Sequence, residues 1–144
     1  MATYTDRVRF DDVDFARVPF YARHFTWVDR AWEFLLNDYG IFFSEMVGDR
    51  QIGLPIIEAV CRYRRPLALD DDIAVHIRVP ELTRRAVTTE FRLMRPRDAA
   101  LICEGHVKRR FVDMRIFRGM DLPEELYELF EKVAQAHDEW PEGP

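Results

Sequence analysis

The stretch D11-D12-V13-D14 places acids directly ahead of a segment with helical periodicity. A carboxylic acid with a pKa near ~3.9 is ionised at neutral pH and can serve as nucleophile or general base. The start of a helix supplies unpaired N–H groups and a positive dipole end, which together can hold a developing oxyanion. Asp12 and Asp14 can equally cap the helix or close Asx turns, a common use of this residue. Their spacing alone leaves both readings open. Three basic groups, Arg62-Arg64-Arg65, Arg84-Arg85 and Lys108-Arg109-Arg110, fit either the solvated faces and ends of strands or a seat for phosphate oxygens. In an acidic chain such local patches carry more information than in a basic one.

Other chemistries find little support. His24, His76, His106 and His137 are scattered without HxxxH spacing, and no cysteine pair stands at ligand spacing, so no metal site and no required cofactor are expected. A Gly-rich phosphate loop and a GxSxG elbow are both missing, and Ser44 is the single serine of the chain, which argues against a serine nucleophile. The 144 residues suffice for one domain with a core and are few for two. Acids outnumber bases 26 to 21, for a net charge of −5, the reverse of the bias a nucleic-acid partner requires. The aromatic share is 13%, with eleven Phe; that ring surface has to be buried in a core, at a subunit interface or around an apolar ligand. Cys61 and Cys103 sit far apart in apolar stretches and read as reduced core thiols of a cytoplasmic protein. The opening MATYTDRVRF has the features of neither a signal peptide nor a transit sequence, and no apolar run approaches about 18 residues, so no membrane partner is expected.

The elements that must position these residues follow from periodicity. Tyr4 to Phe10 alternates weakly and reads as a first strand, followed by an acidic loop to Pro19. Tyr21, Phe25, Val28, Trp32, Leu35 and Leu36 recur at three- and four-residue spacing, which predicts an amphipathic helix of about four to five turns. Pro19 is expected at its start and Gly40 at its end, with a short extra helical turn at Ile41 to Val47. From Gly53 the period becomes two: Ile57 to Tyr63, Ile73 to Val79, Val87 to Leu93, and Leu101 to Val107 with an extension towards Val112. Short polar links between them predict antiparallel hairpins. Asp121 is placed to cap a terminal helix with Leu126, Leu129, Phe130 and Val133 on its apolar face. The expected fold class is α+β, an antiparallel sheet wrapped around one long central helix plus a C-terminal helix. It spans residues 1–144 as a single domain, with a flexible tail from about residue 138. The long strands leave edges that a second subunit can pair.

The segment V8-R9-F10-D11-D12-V13-D14-F15-A16-R17-V18-P19-F20-Y21, with F25-T26-W27-V28-D29-R30-A31 after it, resembles the signature of the 4-hydroxybenzoyl-CoA thioesterase family of hotdog-fold proteins. That pattern is an aromatic, Asp, Asp, Gly, Val, aromatic and Tyr at fixed offsets, then aromatic, Trp, acid and Ala or Gly, and it aligns here without a gap. The likeness continues through I52-G53-L54-P55 and Y63-R64-R65-P66-L67-A68-L69-D70-D71.

The resemblance implies a hotdog acyl-CoA thioesterase working as a homodimer or dimer of dimers. It implies Asp14 as the carboxylate that attacks the thioester or activates water, and the backbone N–H of Tyr21 as oxyanion donor, with Asp12 structural. Arg84 and Arg85 fall at the turn where relatives often hold the coenzyme A nucleotide. The acyl group, aryl or medium-chain, is expected beside the helix against Gly53, Leu54 and Pro55, with Phe20 among the aromatics around it. His24 is expected at the surface or an interface. Three positions depart from the pattern: Arg17 stands for Gly, Pro19 for Val, and Ala22 for the usual His or Pro, leaving the chemistry to the carboxylate. A Gly at position 17 would serve a positive φ or a close backbone approach, so Arg17 implies a rebuilt loop. Its side chain then points to solvent or reaches the mouth of the acyl pocket to favour a polar or anionic acyl end. Two other readings of the chain are a thioesterase acting on acyl carrier protein and a non-catalytic acyl-CoA-binding or assembly module.

Overall fold

The computed structural model describes residues 3–136 and 140–141; His137 and most of the tail expected to be frayed lie outside the described residues. In chain order the elements are β1 (Tyr4–Arg7), α1 (Arg23–Asp38), a π-helical turn (Ser44–Asp49), β2 (Ile52–Gly53), β3 (Ile56–Tyr63), β4 (Asp72–Leu82), β5 (Ala86–Arg95), β6 (Ala100–Arg110), β7 (Val112–Asp113), β8 (Arg118–Gly119) and α2 (Glu124–Gln135). Five strands form one antiparallel sheet in the order β1-β4-β5-β6-β3, and β2, β7 and β8 form a small second one. No helix among the described residues is long and apolar enough to cross a membrane.

Alternation puts one face of the main sheet inward. Cross-strand rows such as Val75–Leu93–Cys103 and Ile77–Phe91–Gly105 meet the buried stripe of α1, formed by His24, Trp27, Val28, Ala31, Trp32, Leu35 and Leu36. Three- and four-residue steps generate that stripe. α1 stops where expected: Gly40 takes φ +79°, and the N–H groups of Gly40 and Ile41 return to the carbonyls of Asn37 and Leu36, closing the last turn in a Schellman-like way. α2 closes the core from the other side, with Phe130 against Phe111 and Trp32.

Several local expectations are corrected. Pro19 does not open α1; it pairs with Val13 in an isolated bridge, and a turn with Arg23 N–H on the Phe20 carbonyl (2.8 Å) comes before the helix. Proline favours extended geometry in the residue ahead of it, which suits a bridge. Asp121 does not cap α2: Pro123 holds that position, and Asp121 is drawn to Arg85 instead. Strand β6 ends at Arg110, and Val112 belongs to the small sheet. The alternation in β3 buries neither face fully, and Ile57 and Tyr63 are nearly half exposed. That strand lies at the sheet edge, with β6 its single strand neighbour among the described residues. It curls tightly over β6 at Gly105, where an added Cβ would stand 1.8 Å from the Val60 carbonyl oxygen. Only a residue without a side chain lets the two backbones approach so closely.

Candidate active site

The loop from Phe10 to Tyr21 is held by its own acids. Asp12 is buried; its carboxylate accepts the Arg9 N–H at 2.7 Å and lies 3.4 Å from Arg23 Nε, tying the loop to the first residue of α1. Asp14 is exposed and uses one carboxylate oxygen to accept the Ala16 N–H at 2.8 Å. Its backbone carbonyl accepts the Arg17 N–H at 2.9 Å, and its own N–H donates to Val18 at 3.1 Å. This is an Asx turn, but it leaves the second oxygen of Asp14 without a partner among the described residues. Arg17 has φ 67°, a left-handed conformation of the kind a Gly at this position would serve. The left-handed basin is narrow but open to side-chain-bearing residues at a cost.

At the far end of the loop the Tyr21 N–H, just ahead of α1, meets no acceptor among the described residues. Its carbonyl is gripped twice: the Tyr63 hydroxyl donates to it at 2.5 Å, and His24 Nδ1 lies 3.1 Å away. A carbonyl can only accept, so Nδ1 carries a proton. His24 is 6% exposed and packs edge-on against Trp27 and Tyr63, which corrects its expected place at the surface. Burial pushes its pKa down, against the opposing pull of the Tyr21 carbonyl, and keeps the ring neutral. Burial also pushes the Tyr63 hydroxyl up, with the neighbouring Cys61 adding to the effect, so it stays a donor.

The predicted site residues do not share one cavity within a single chain. Asp14 and Arg17 line a cavity of about 860 Å³ with Phe15 and Leu69. Tyr21 lines another of about 320 Å³ with His24, Tyr63, Arg64 and Arg65. Leu54 lines a third, of about 810 Å³, against α1. The rings of Phe20 and Tyr21 meet at a tilt of 55°, with centroids 4.7 Å apart. Gly53 makes room for Met114, whose side chain sits 2.9 Å from where a Cβ would be, and the Pro55 carbonyl accepts the Arg110 N–H at 3.1 Å. Arg84 and Arg85 lie in the β4–β5 turn. Asp14 follows β1, whose end pairs with the opposite end of β4, and the span of β4 is about 30 Å at ~3.3 Å per residue. Arg84 reaches Glu124 at 2.7 Å and sits over the Tyr127 ring, and Arg85 reaches Asp121 at 2.9 Å.

The third cavity holds residues that sequence reasoning passed over. Arg109, counted there with the strand-end basic groups, is 4% exposed. Its Nη2 donates to Asp29 Oδ1 at 2.8 Å, and its Nη1 lies 3.4 Å from Thr89 Oγ1. Burial pushes the Asp29 carboxyl up and the Arg109 guanidinium down, while their mutual attraction opposes both shifts. The guanidinium stays charged, because an arginine does not lose its proton in proteins. The register signal was present: Arg109 continues the buried row Cys103, Gly105, Val107.

With this geometry in hand, comparison with known proteins fixes the class. The family model described as the thioesterase-like superfamily matches residues 8–130, and the chain belongs to that superfamily, in the hotdog fold. Among individual relatives, a 1,4-dihydroxy-2-naphthoyl-CoA hydrolase of Prochlorococcus marinus is 33% identical over 91 residues, covering 58% of this chain and 60% of its own length. A solved gentisyl-coenzyme A thioesterase superposes with TM-score 0.78 at 28% identity, over 87% of this chain and 98% of that one. A Staphylococcus aureus protein in complex with CoA shares the fold with TM-score 0.85 at 18% identity, over 97% of this chain and 89% of that one.

Proposed function

We propose that the protein hydrolyses an acyl-CoA, with an aryl rather than a medium-chain acyl group, to the free acid and coenzyme A. The observation that carries this reading is the open Tyr21 N–H at the start of α1, held rigid by Tyr63 and His24, with the half-free carboxylate of Asp14 seven positions earlier. The names of the relatives, both acting on aromatic CoA thioesters, support the aryl choice. Asp14 attacks the thioester carbonyl or takes a proton from the attacking water. The carbonyl oxygen, gaining negative charge, is received by the Tyr21 N–H and the positive end of α1. Collapse breaks the C–S bond and expels the coenzyme A thiolate, which takes up a proton; where Asp14 itself has attacked, water then hydrolyses the mixed anhydride on Asp14, releasing the acid and restoring the carboxylate.

The reading includes a second copy of the chain. Strand β3 is an open edge with Ile56 and Ile57 about half exposed, and unpaired edges of this kind invite strand addition. Antiparallel pairing of β3 with its copy sets the far end of one sheet beside the near end of the other. Arg84 and Arg85 then serve a nucleotide bound at the partner's Asp14 site, which they cannot reach in their own chain. The test is release of free thiol from aryl-CoA thioesters by wild type and Asp14→Asn. The amide keeps the turn to Ala16, so the variant folds, and turnover is expected to drop at least ~10²-fold. Near-native release by a folded variant would remove Asp14 from the chemistry.

A further inference from the structure

Cys61 and Cys103, far apart in the sequence, are brought together where β3 pairs with β6. Cys61 lies opposite Gly105, and Cys103 lies opposite Tyr63, so the two cysteines are diagonal neighbours on one face of the sheet. Such diagonals normally span about 7–8 Å between Cα atoms, at the limit of about 7 Å that a disulfide can bridge. Gly105 relieves that limit here. Its missing side chain leaves the place opposite Cys61 empty, and a Cβ on Gly105 would stand 3.1 Å from the Cys61 Cα, so closely is β3 pressed onto β6. The two free thiols meet as a result, and each is the strongest influence on the other's hold on its proton.

Their settings differ in the way a redox pair requires. Cys103 is 0% exposed, whereas Cys61 is open in part to solvent. The hydrogen bond from Cys103 lowers the pKa of the Cys61 thiol, with burial opposing and Tyr63 assisting. The same contact raises that of Cys103, and burial adds to the effect. The reachable sulfur is thus the one that gives up its proton more readily, and the buried one stands behind it. A thiolate is the form that attacks an oxidant, and a sulfenic acid with a thiol beside it condenses to a disulfide.

Tyr63 connects this pair to the reacting end. It follows Cys61 by two positions on the same face, lies opposite Cys103 and bonds to the Cys61 thiol, while its hydroxyl donates to the Tyr21 carbonyl at 2.5 Å. A disulfide accepts only a narrow range of Cα and Cβ separations, so closing it resets the backbone from which Tyr63 projects. We propose that Cys61 and Cys103 are a redox modification site, closed by a hydroperoxide to an intramolecular disulfide that withdraws Tyr63 from the Tyr21 carbonyl and slows turnover. The effect on turnover rests on the thioesterase reading above; the modification itself does not.

The chemistry balances with hydrogen peroxide as oxidant. The Cys61 thiolate attacks one peroxide oxygen, an S–O bond forms, the O–O bond breaks, and the departing hydroxide takes up the proton that Cys61 released. Cys103 then attacks the Cys61 sulfur: the S–S bond forms, the S–O bond breaks, and hydroxide leaves with the Cys103 proton as a second water. The sulfurs together lose two electrons, which the peroxide gains, and a dithiol reverses the change by exchange.

The test treats reduced protein with hydrogen peroxide, removes the excess with catalase, alkylates in denaturant and reads the intact mass. Hydrolysis of benzoyl-CoA by the same samples is followed by chromatography of the acid. Wild type is expected to become a monomer lighter by two hydrogens that takes up no alkyl group. Its kcat should fall about tenfold, the worth of one hydrogen bond at the proposed donor, with KM little changed and full recovery in dithiothreitol. Cys61→Ser should form no bridge and keep its turnover through the treatment; Cys103→Ala should form none either, and Cys61→Ser suffices where the buried variant does not fold. Tyr63→Phe should still bridge, start from a lower kcat and lose little more, because the contact that the bridge breaks is already gone. Two alkylated thiols after peroxide, added oxygen without a bridge, or a link between two copies overturns the modification site. A bridge that leaves kcat unchanged, or that slows Tyr63→Phe as much as wild type, overturns its action through Tyr63. A bridge in a protein that hydrolyses no benzoyl-CoA counts against the activity and leaves the modification site standing.

Discussion

Replacing Arg17 by Gly should make the protein more stable, although it removes a long side chain. The residue sits at φ 67°, and the left-handed region costs a residue bearing a Cβ about 1–2 kcal/mol. Glycine escapes that cost but brings a more disordered unfolded state, worth about 0.5–1 kcal/mol against it. No hydrogen bond or ion pair of the Arg17 side chain exists among the described residues, and the side chain is exposed, so no contact is lost. The net gain is roughly 0.5–1 kcal/mol, which for a chain of this size raises Tm by about 1–4 °C. Thermal unfolding followed by circular dichroism, at one fixed protein concentration, reads this directly. Arg17→Ala is the control: it deletes the same side chain but keeps the Cβ, and should shift Tm by less than about 1 °C. A lower Tm for the Gly variant, or an equal rise for the Ala variant, would show that the backbone at this position is not the source of strain.

The remaining expectations are simpler to read. Gly105→Ala should cost about 3 kcal/mol or more in denaturant unfolding, because its Cβ would meet the Val60 carbonyl at 1.8 Å and overpacking against backbone has no cheap relief; a midpoint within error of wild type would show that β3 moves freely. The double variant Arg84→Ala and Arg85→Ala should raise KM for acyl-CoA more than for a truncated pantetheine thioester, with little change in kcat, since phosphate contacts are equal in ground and transition states. Equal effects on the two substrates would exclude these arginines from the nucleotide site. His24 has its pKa pushed below the ordinary 6.5 by burial, so the unfolded chain takes up its proton first as pH falls. Its contribution is intact above pH ~6.5 and is lost as pH drops from there through the folded value. His24→Asn, which keeps a donor for the Tyr21 carbonyl, should flatten stability against pH over that interval, and an unchanged slope would assign the dependence to other groups.

The features read correctly in the sequence are those with long periods behind them. Helix α1 and strands β4, β5 and β6 repeat their pattern over ten or more residues, enough for period to outweigh local propensity. The small sheet was invisible because its strands are two residues long, too short to show alternation. His24 was displaced by a one-residue error in the helix stripe: the buried row runs through His24, Trp27, Val28 and Ala31, and Tyr21 and Phe25 flank it. Arg109 was grouped with its charged neighbours when its register in β6 already marked it as inward-facing. Asp12 and Asp14 could not be told apart by spacing, because burial, which makes one an anchor and leaves the other open, depends on where Arg9 and Arg23 fold.

Tyr63 belongs at once to the open margin of the sheet and to the start of the helix. Its backbone lies on the edge strand, and its hydroxyl holds the Tyr21 carbonyl beside the proposed oxyanion donor. A single side chain therefore ties that margin to the backbone beside the proposed oxyanion donor. If the margin's neighbour is a second copy, rate per molecule becomes a function of how crowded the molecules are. Dilution would then slow the chemistry before it loosened the fold.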